Sequence, residues 1–330
     1  MFRRVVGEKV YLLTLYVDDI LLIAESSEIE RVGKAFEAEY RWITMAVGNS
    51  HSYVGMVLTV EKGCVVLDMR YYLINLLEPY DNLQIKAVPG NKGTFTVKGE
   101  VEELDLKKRT LFHSTVAKLL YLSKRARPDI IAVVGFPCTR VKDPTLQDWK
   151  KLGNLLGYLK GTKDFVMRLR PNTMFRVVVY VDASFSAHPD GKSHSGVVVK
   201  VGGIPVFFGS KKQKCVSKSP TEAELVALSD NVGFAELFAE FVAFATNSEQ
   251  MKPLIYQDST SVITMVTEGG GATRSKTMRT RMCLVLEAVK ENRIEIKYVN
   301  TKGMEADGLS KSLGGASFLD FRSNVLNLSE

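Results

Sequence analysis

Cysteine is scarce in this sequence. Cys64, Cys138, Cys215 and Cys283 are its four cysteines, and no two of them form a CxxC pair. That spacing excludes the usual zinc and redox motifs. Few and unpaired, the thiols suit a reducing compartment. Long apolar runs are missing too: none approaches the roughly 18 residues of a membrane span. The chain carries no sequence repeat and no low-complexity tract. A secretory leader is also not read. Arg3 and Arg4 precede an apolar stretch, but Glu8 and Lys9 interrupt it, and Asp18–Asp19 stand where a small-residue cleavage site belongs. The expectation is a soluble intracellular protein, cytoplasmic or nuclear, with no membrane partner and not secreted. Charge of one sign is not in large excess. Lys and Arg number 44 against 37 Asp and Glu, a net +7, which fits a polyanionic partner without requiring one. What is present in quantity is core material: 45% of the 330 residues are hydrophobic and 25% charged. That supports about two globular domains and excludes disorder.

The pattern along the chain changes near residue 170. Residues 10–17 (VYLLTLYV) read as a buried strand, Asp18–Asp19 as a tip and Ile20–Ala24 as a returning strand. A helix is expected at 28–40, a hairpin from Tyr53–Val60 and Cys64–Leu67 around Lys62–Gly63, and a helix at 69–79. Residues 84–108 read as an irregular loop. Amphipathic helices are expected at 110–126 and 145–160, the second with Leu146, Trp149, Leu152, Leu155, Leu156 and Leu159 at helical spacing. The later part alternates differently. Phe175–Val181 reads as a strand ending in Asp182, and Ser195–Val201 with Ile204–Gly209 as a hairpin turned at Gly202–Gly203. Ser219–Pro220 opens a long helix to about Ala245. Leu254–Gln257 is a strand ending in Asp258; a helix, a glycine break at 269–271 and a basic helix at 275–291 follow. Ile294–Val299 is the last strand, with a short helix near Asp307. This order predicts an α/β (α+β) chain with a mixed sheet, divided into 1–170 and 171–330.

Carboxylates carry the chemistry. If the strands ending in Asp182 and Asp258 are parallel neighbours, both side chains emerge at the sheet edge where open α/β sheets place ligands. Glu222 and Glu224 lie in the first turns of the long helix and Asp307 at the start of the last. Ser219-Pro-Thr-Glu222 fits a capping box, which assigns Glu222 to the helix start and leaves Glu224 for the site. Singly, Asp182 and Asp258 fit strand ends, and Asp307 fits a helix cap. Together, converging acids repel unless cations neutralise them. Magnesium takes oxygen ligands, and a two-metal pair about 3.5–4 Å apart hydrolyses phosphodiesters.

These residues carry a family resemblance. YVDASFSAHPDGKSHSG, SKKQKCVSKSPTEAELVAL, IYQDSTSVI and EADGLSK resemble the ribonuclease H domain of copia-type LTR retrotransposon polyproteins. The small-residue-Glu-Leu setting of the related helix carboxylate matches Ala223-Glu224-Leu225. In the first part, YVDDILLIA at 16–24 resembles the catalytic hairpin of a reverse transcriptase, since two adjacent Asp are unusual in a plain two-residue turn. YVGMVL at 53–58 looks like the primer-grip hairpin, and LLYLSKRARPDI at 119–130 and LGYLKGTKDF at 156–165 are further landmarks. The resemblance implies a truncated reverse transcriptase over 1–170 (palm hairpin with thumb and connection helices) and a ribonuclease H-like domain over 171–330. Tyr16 stands near the start of the chain, so the earlier palm Asp and the fingers are expected to be absent. Asp18 and Asp19 are then a polymerase remnant, and no polymerase activity is expected of this chain alone. In the helix TRSKTMRTRM, Thr277 stands where the family usually shows histidine.

The implied activity is Mg²⁺-dependent hydrolysis of RNA in RNA–DNA hybrids. Asp182, Glu224, Asp258 and Asp307 hold two ions, for which Mn²⁺ can substitute. In the full-length polyprotein, RNA-directed DNA polymerase activity is expected as well. Lys211, Lys212, Lys214 and Lys218, and Arg274, Lys276, Arg279 and Arg281, form two basic patches beside the acids. They are expected to neutralise phosphates of a hybrid or a template-primer duplex, with shape and the 2′-hydroxyl giving selectivity. Lys124, Arg125 and Arg127 are a third candidate group. The rest of a polyprotein is a further possible partner. Two other readings stay open: a non-catalytic nucleic-acid-binding relic of a decayed element, and an unrelated α/β metal hydrolase without preference for hybrids.

Overall fold

The computed structural model describes residues 1–328 other than 41, 92, 98, 100, 101, 173 and 270–274. The chain opens with an antiparallel sheet of β1 (Phe2–Val6), β2 (Lys9–Tyr16) and β3 (Asp19–Ile23). Tyr16 pairs with Asp19, so Val17 and Asp18 form the two-residue loop, and Val17 takes a left-handed φ of +55°. The tip is therefore Val17–Asp18 rather than Asp18–Asp19. The strand read as buried is only partly so: of β2 only Tyr11 is buried, and Leu15, Tyr16, Val17 and Ile20 are open to solvent. Apolar composition marked a strand here without marking what covers it.

After α1 (Ser26–Glu39), the strands β4 (Ser50–Tyr53), β5 (Met56–Glu61) and β6 (Cys64–Asp68) form a meander. Its first turn is Val54–Gly55. A Cβ on Gly55 would lie 2.7 Å from the Tyr121 hydroxyl, which donates to Val54 O at 2.8 Å. Helices α2 (Arg70–Leu77), α3 (Leu106–Ser123), α4 (Ile131–Cys138) and α5 (Leu146–Gly161) follow, and β7 (Met167–Leu169) returns to pair with β6. Asp105 caps α3 and a Thr145–Asp148 capping box opens α5.

The rest builds one mixed sheet. Its strands are β8 (Val177–Ser184), β9 (His194–Val201) and β10 (Ile204–Lys212); then, beyond α6 (Pro220–Thr246), β11 (Leu254–Gln257); and, beyond α7 (Thr260–Glu268) and α8 (Lys276–Lys290), β12 (Glu295–Tyr298). The order is β10-β9-β8-β11-β12, with β8, β9 and β10 antiparallel and β8, β11 and β12 parallel. Two helices close the chain, α9 (Asp307–Ser310) and α10 (Gly315–Leu326). The expected glycine break at 269–271 lies outside the described residues after Gly269, which ends α7 at φ +72°. β8 does not stop at Asp182, because β9 pairs with it through Ser184↔His194.

Alternation along β8 divides two cores. Val177, Val179 and Val181 face Leu225, Val226, Leu228 and Val232 of α6, with Ile255, Val262 and Val285. Tyr180, with Val198 and Phe208, faces a core shared with the first part of the chain, including Phe112, Leu119, Ile131, Val134 and Leu156, and with Leu309, Phe318 and Val325. Both sheet faces are thus covered, which suits the parallel strands at its centre.

Beneath that shared core Arg127 is 2% exposed. It makes a two-pronged ion pair with Asp129 (2.9 and 2.8 Å) and donates to Thr162 O and Oγ1 (3.0 and 2.8 Å). Tyr158 donates to the same carboxylate at 2.6 Å. Arg127 is a structural tie between the Pro128–Ile130 turn and the end of α5, not a nucleic-acid contact as its basic neighbours suggested. Arg125 stacks on Tyr121 at 3.6 Å. Replacing Arg127 by Met leaves Asp129 as an uncompensated buried charge, and a loss of about 3–5 kcal/mol in urea denaturation is expected. A loss below about 1 kcal/mol would class the pair with surface ion pairs and contradict this assignment.

Candidate metal centre and nucleic-acid face

The last registered pair of β8 and β11 is Tyr180↔Tyr256. Two residues further on come Asp182, still within β8, and Asp258, the first residue past β11, so the register carries the two toward the same edge. Glu224, in the second turn of α6, reaches the same point, and its Oε1 accepts from Ala183 N–H at 3.1 Å. The three carboxylates offer ligand oxygens all within 4.8 Å of one another. Asp182 is 5% exposed and Glu224 9%. Glu222 instead accepts from Lys218 N–H at 2.7 Å, while Ser219 Oγ accepts from Glu222 N–H at 3.2 Å. It serves the helix start, as the Ser-x-x-Glu pattern predicts.

Electrostatics follows from this crowding. Burial first, then the charges of Asp182 and Asp258, raise the Glu224 pKa far above the usual carboxylate range. Burial likewise raises Asp182, with the Asp307 and Asp258 charges adding to it and a hydrogen bond from Ser310 opposing. Glu224 Oε2 is buried without a hydrogen-bond partner, as is Gln257 Nε2. A close group of three carboxylates, one with a buried oxygen lacking a hydrogen-bond partner, fits a divalent cation with oxygen ligands.

Asp307 is not part of that close group among the described residues. It begins α9, and its Oδ1 pairs with Lys311. The helix is nevertheless pressed onto the site. A Cβ on Gly196, opposite Asp182, would lie 2.6 Å from Ala306 O and 2.7 Å from Ser310 N, so only glycine admits α9 here. Ser310 Oγ donates to Asp182 Oδ2, and Lys200 binds Glu305 at 2.8 Å. A buried chain adds support. Ser210 donates to Leu309 O at 2.7 Å, so His194 Nε2–H donates to Ser210, also at 2.7 Å, and His194 Nδ1 accepts from His188 Nε2–H at 2.9 Å. Burial keeps both rings neutral, with His194 down to about 3 and His188 down to about 4. Gly196, Ser310 and Lys311 were not singled out from the sequence, although all three lie inside the motifs YVDASFSAHPDGKSHSG and EADGLSK.

The basic residues divide. Lys211, Lys214, Lys218, Lys276 and Arg279 are exposed. Lys212 binds Asp190 at 2.8 Å, and Arg281 binds Asp230 and, at 2.6 Å, Ser229. Arg274 lies outside the described residues. Thr277 is exposed on the first turn of α8. Asp18 and Asp19 are exposed on the β2–β3 hairpin and join no third ligand group among the described residues. No helix of the described residues is long and apolar enough to cross a membrane.

A mixed sheet of this order, with aspartates on adjacent parallel strands and a glutamate on the long helix, defines a ribonuclease H-like α/β unit, here packed against a reverse-transcriptase-like region. The relatives agree. The Pol polyprotein of transposon RE2 of Arabidopsis thaliana is 24% identical over 97% of this chain, and that of transposon TNT 1-94 of Nicotiana tabacum is 24% identical over 94%. The chain spans 22% and 24% of their lengths. Among solved structures, the foamy viral protease-reverse transcriptase in complex with RNA/DNA hybrid matches 92% of this chain and 37% of its own, with TM-score 0.51 and 13% identity. No protein-family model matches. These similarities support reading the chain as a fragment of a copia-type retrotransposon Pol polyprotein.

The raised Glu224 pKa has a consequence for stability. Between its unfolded and folded pKa the native state holds a proton that the unfolded chain has lost, so stability falls as pH rises through that window. Glu224→Gln removes this cost. In EDTA at pH 8 the variant is expected to be about 1–3 kcal/mol more stable than the parent, with the gain shrinking toward pH 5. Thermal melts across that range check it; a variant less stable at pH 8 would contradict the unpaired, proton-holding Glu224.

Proposed function

We propose that the chain is a divalent-metal-dependent nuclease that hydrolyses the RNA strand of RNA–DNA hybrids. The observation that carries this is the close group of Asp182, Glu224 and Asp258, in which Glu224 Oε2 is buried with no hydrogen-bond partner. In this reading residues 171–330 are the ribonuclease H-like domain and residues 1–170 the reverse-transcriptase-derived region. Asp182, Glu224 and Asp258 would hold one Mg²⁺, for which Mn²⁺ could substitute, and Asp307 would serve a second. Bound there, the ions supply Lewis-acid activation of a water and charge neutralisation at the scissile phosphate.

The chain's own residues do the rest. Asp182 and Glu224 must shed protons to ligate, so metal affinity rises with pH. Ser310 and Thr301 orient Asp182 and Asp258 by donating to them. Exposed Lys211, Lys214 and Lys218 precede α6, and Lys276 and Arg279 stand on α8; they hold phosphates of the duplex without reading its bases. Lys212 and Arg281, already paired to Asp190 and Asp230, contribute less, and Arg274 belongs to the same proposed patch by sequence alone. The family resemblance supports a hybrid or template-primer duplex as the partner. The Asp18–Asp19 hairpin is assigned to the polymerase function that the family resemblance implies.

The test uses the full chain, since its two parts share a core. A labelled RNA–DNA hybrid should be cut in Mg²⁺, and Asp258→Asn should lower the rate at least about 100-fold. Binding of the hybrid without cutting would establish the non-catalytic reading instead, and equal cutting by Asp258→Asn would remove the assigned centre.

A further inference from the structure

The four acids do not stand alone at the sheet edge. The segment from Thr301 to Lys311 brings a donor to three of them: Thr301 Oγ1 to Asp258 Oδ2 at 3.3 Å, Ser310 Oγ to Asp182 Oδ2, and Lys311 Nζ to Asp307 Oδ1. Of the four, only Glu224 has a buried oxygen with no hydrogen-bond partner. Lys311 is the one full positive charge in this set. Its side chain is 45% exposed and that of Asp307 21%, so the ammonium lies at the rim, able to leave for water without opening the core. Its charge also acts on Asp182 and Asp258. A lysine that follows its acid by four residues across one helical turn needs no further machinery to hold it.

We propose that Lys311 is a tethered counter-ion of this centre: its ammonium holds the Asp307 oxygen that a divalent cation would take, so that cation binding at Asp307 and the Lys311–Asp307 pair exclude one another. Lys311 is thus a positioning residue. It holds the Asp307 carboxylate in an ion pair before metal arrives, and it sets the cation concentration at which the second ligand position fills. Removing the charge while keeping the side-chain length should make divalent cations bind more tightly, because they no longer displace an ion pair. The gain should be modest, about 5-fold, as for a partly solvated pair. It should vanish where Asp307 has no charge to compete for.

This inference rests on the proposed metal centre, and the test separates the two. Free Mn²⁺ is counted by electron paramagnetic resonance during titration of the full chain, with no substrate present. The parent, Lys311→Met, Lys311→Arg, Asp307→Asn and the Lys311→Met/Asp307→Asn pair are compared. Tighter Mn²⁺ binding by Lys311→Met, parent-like binding by Lys311→Arg, and no effect of Lys311→Met in the Asp307→Asn background are expected. Mn²⁺ bound by the parent but with unchanged affinity in Lys311→Met overturns the counter-ion role and leaves the centre standing. Mn²⁺ not bound by the parent overturns the centre itself, and the inference with it.

Discussion

The mutual repulsion of Asp182, Glu224 and Asp258 is the constraint around which this region is arranged. Three carboxylates within 4.8 Å of one another, two of them buried, cannot all be ionised at low cost without a cation. The fold holds them there regardless. β8 and β11 place two side by side, α6 brings the third, and Gly196 lets α9 close over them. The neighbouring donors fit that pressure: the Ala183 N–H on Glu224, Ser310 on Asp182, Thr301 on Asp258 and Lys311 on Asp307. An arrangement that stores this much unfavourable charge is one that a divalent ion relieves.

Part of this was legible in the sequence. Apolar strands ending at or near Asp182 and Asp258, and a Ser-Pro start before Glu224, give the element order and hence the parallel pair. The capping-box pattern correctly assigns Glu222 to the helix start, because that side chain has a local backbone donor to satisfy. The register that makes Asp182 and Asp258 neighbours depends on which strands pair, and no local pattern states it. Asp307 reads like its fellows, yet its carboxylate turns to Lys311, since an ion pair four residues away competes with the centre.

Elsewhere the sequence was less informative for physical reasons. α4 is apolar on all sides, with Pro137 inside it, so it has no amphipathic period to announce a helix; its cover comes from α3, the sheet and α9. β7 is three residues long and exists through its pairing with β6. Arg127 sits in a basic run, and composition cannot distinguish a solvated arginine from one locked onto Asp129. The strand 10–17 is apolar, yet part of it is exposed, because composition records affinity for an apolar partner and not the partner. The shared core, from Phe112 and Leu156 to Val198 and Leu309, also shows why the two parts are best studied together.

A divalent ion among Asp182, Glu224 and Asp258 would relieve their mutual repulsion. Anomalous scattering from crystals of the full chain grown with Mn²⁺ tests this most directly. An anomalous peak bounded by those three carboxylates, with Glu224 Oε2 turned toward it, is the predicted result. A map from saturated crystals with no peak there, and Ser310 still bonded to Asp182 beside an unpaired Glu224 oxygen, would contradict it.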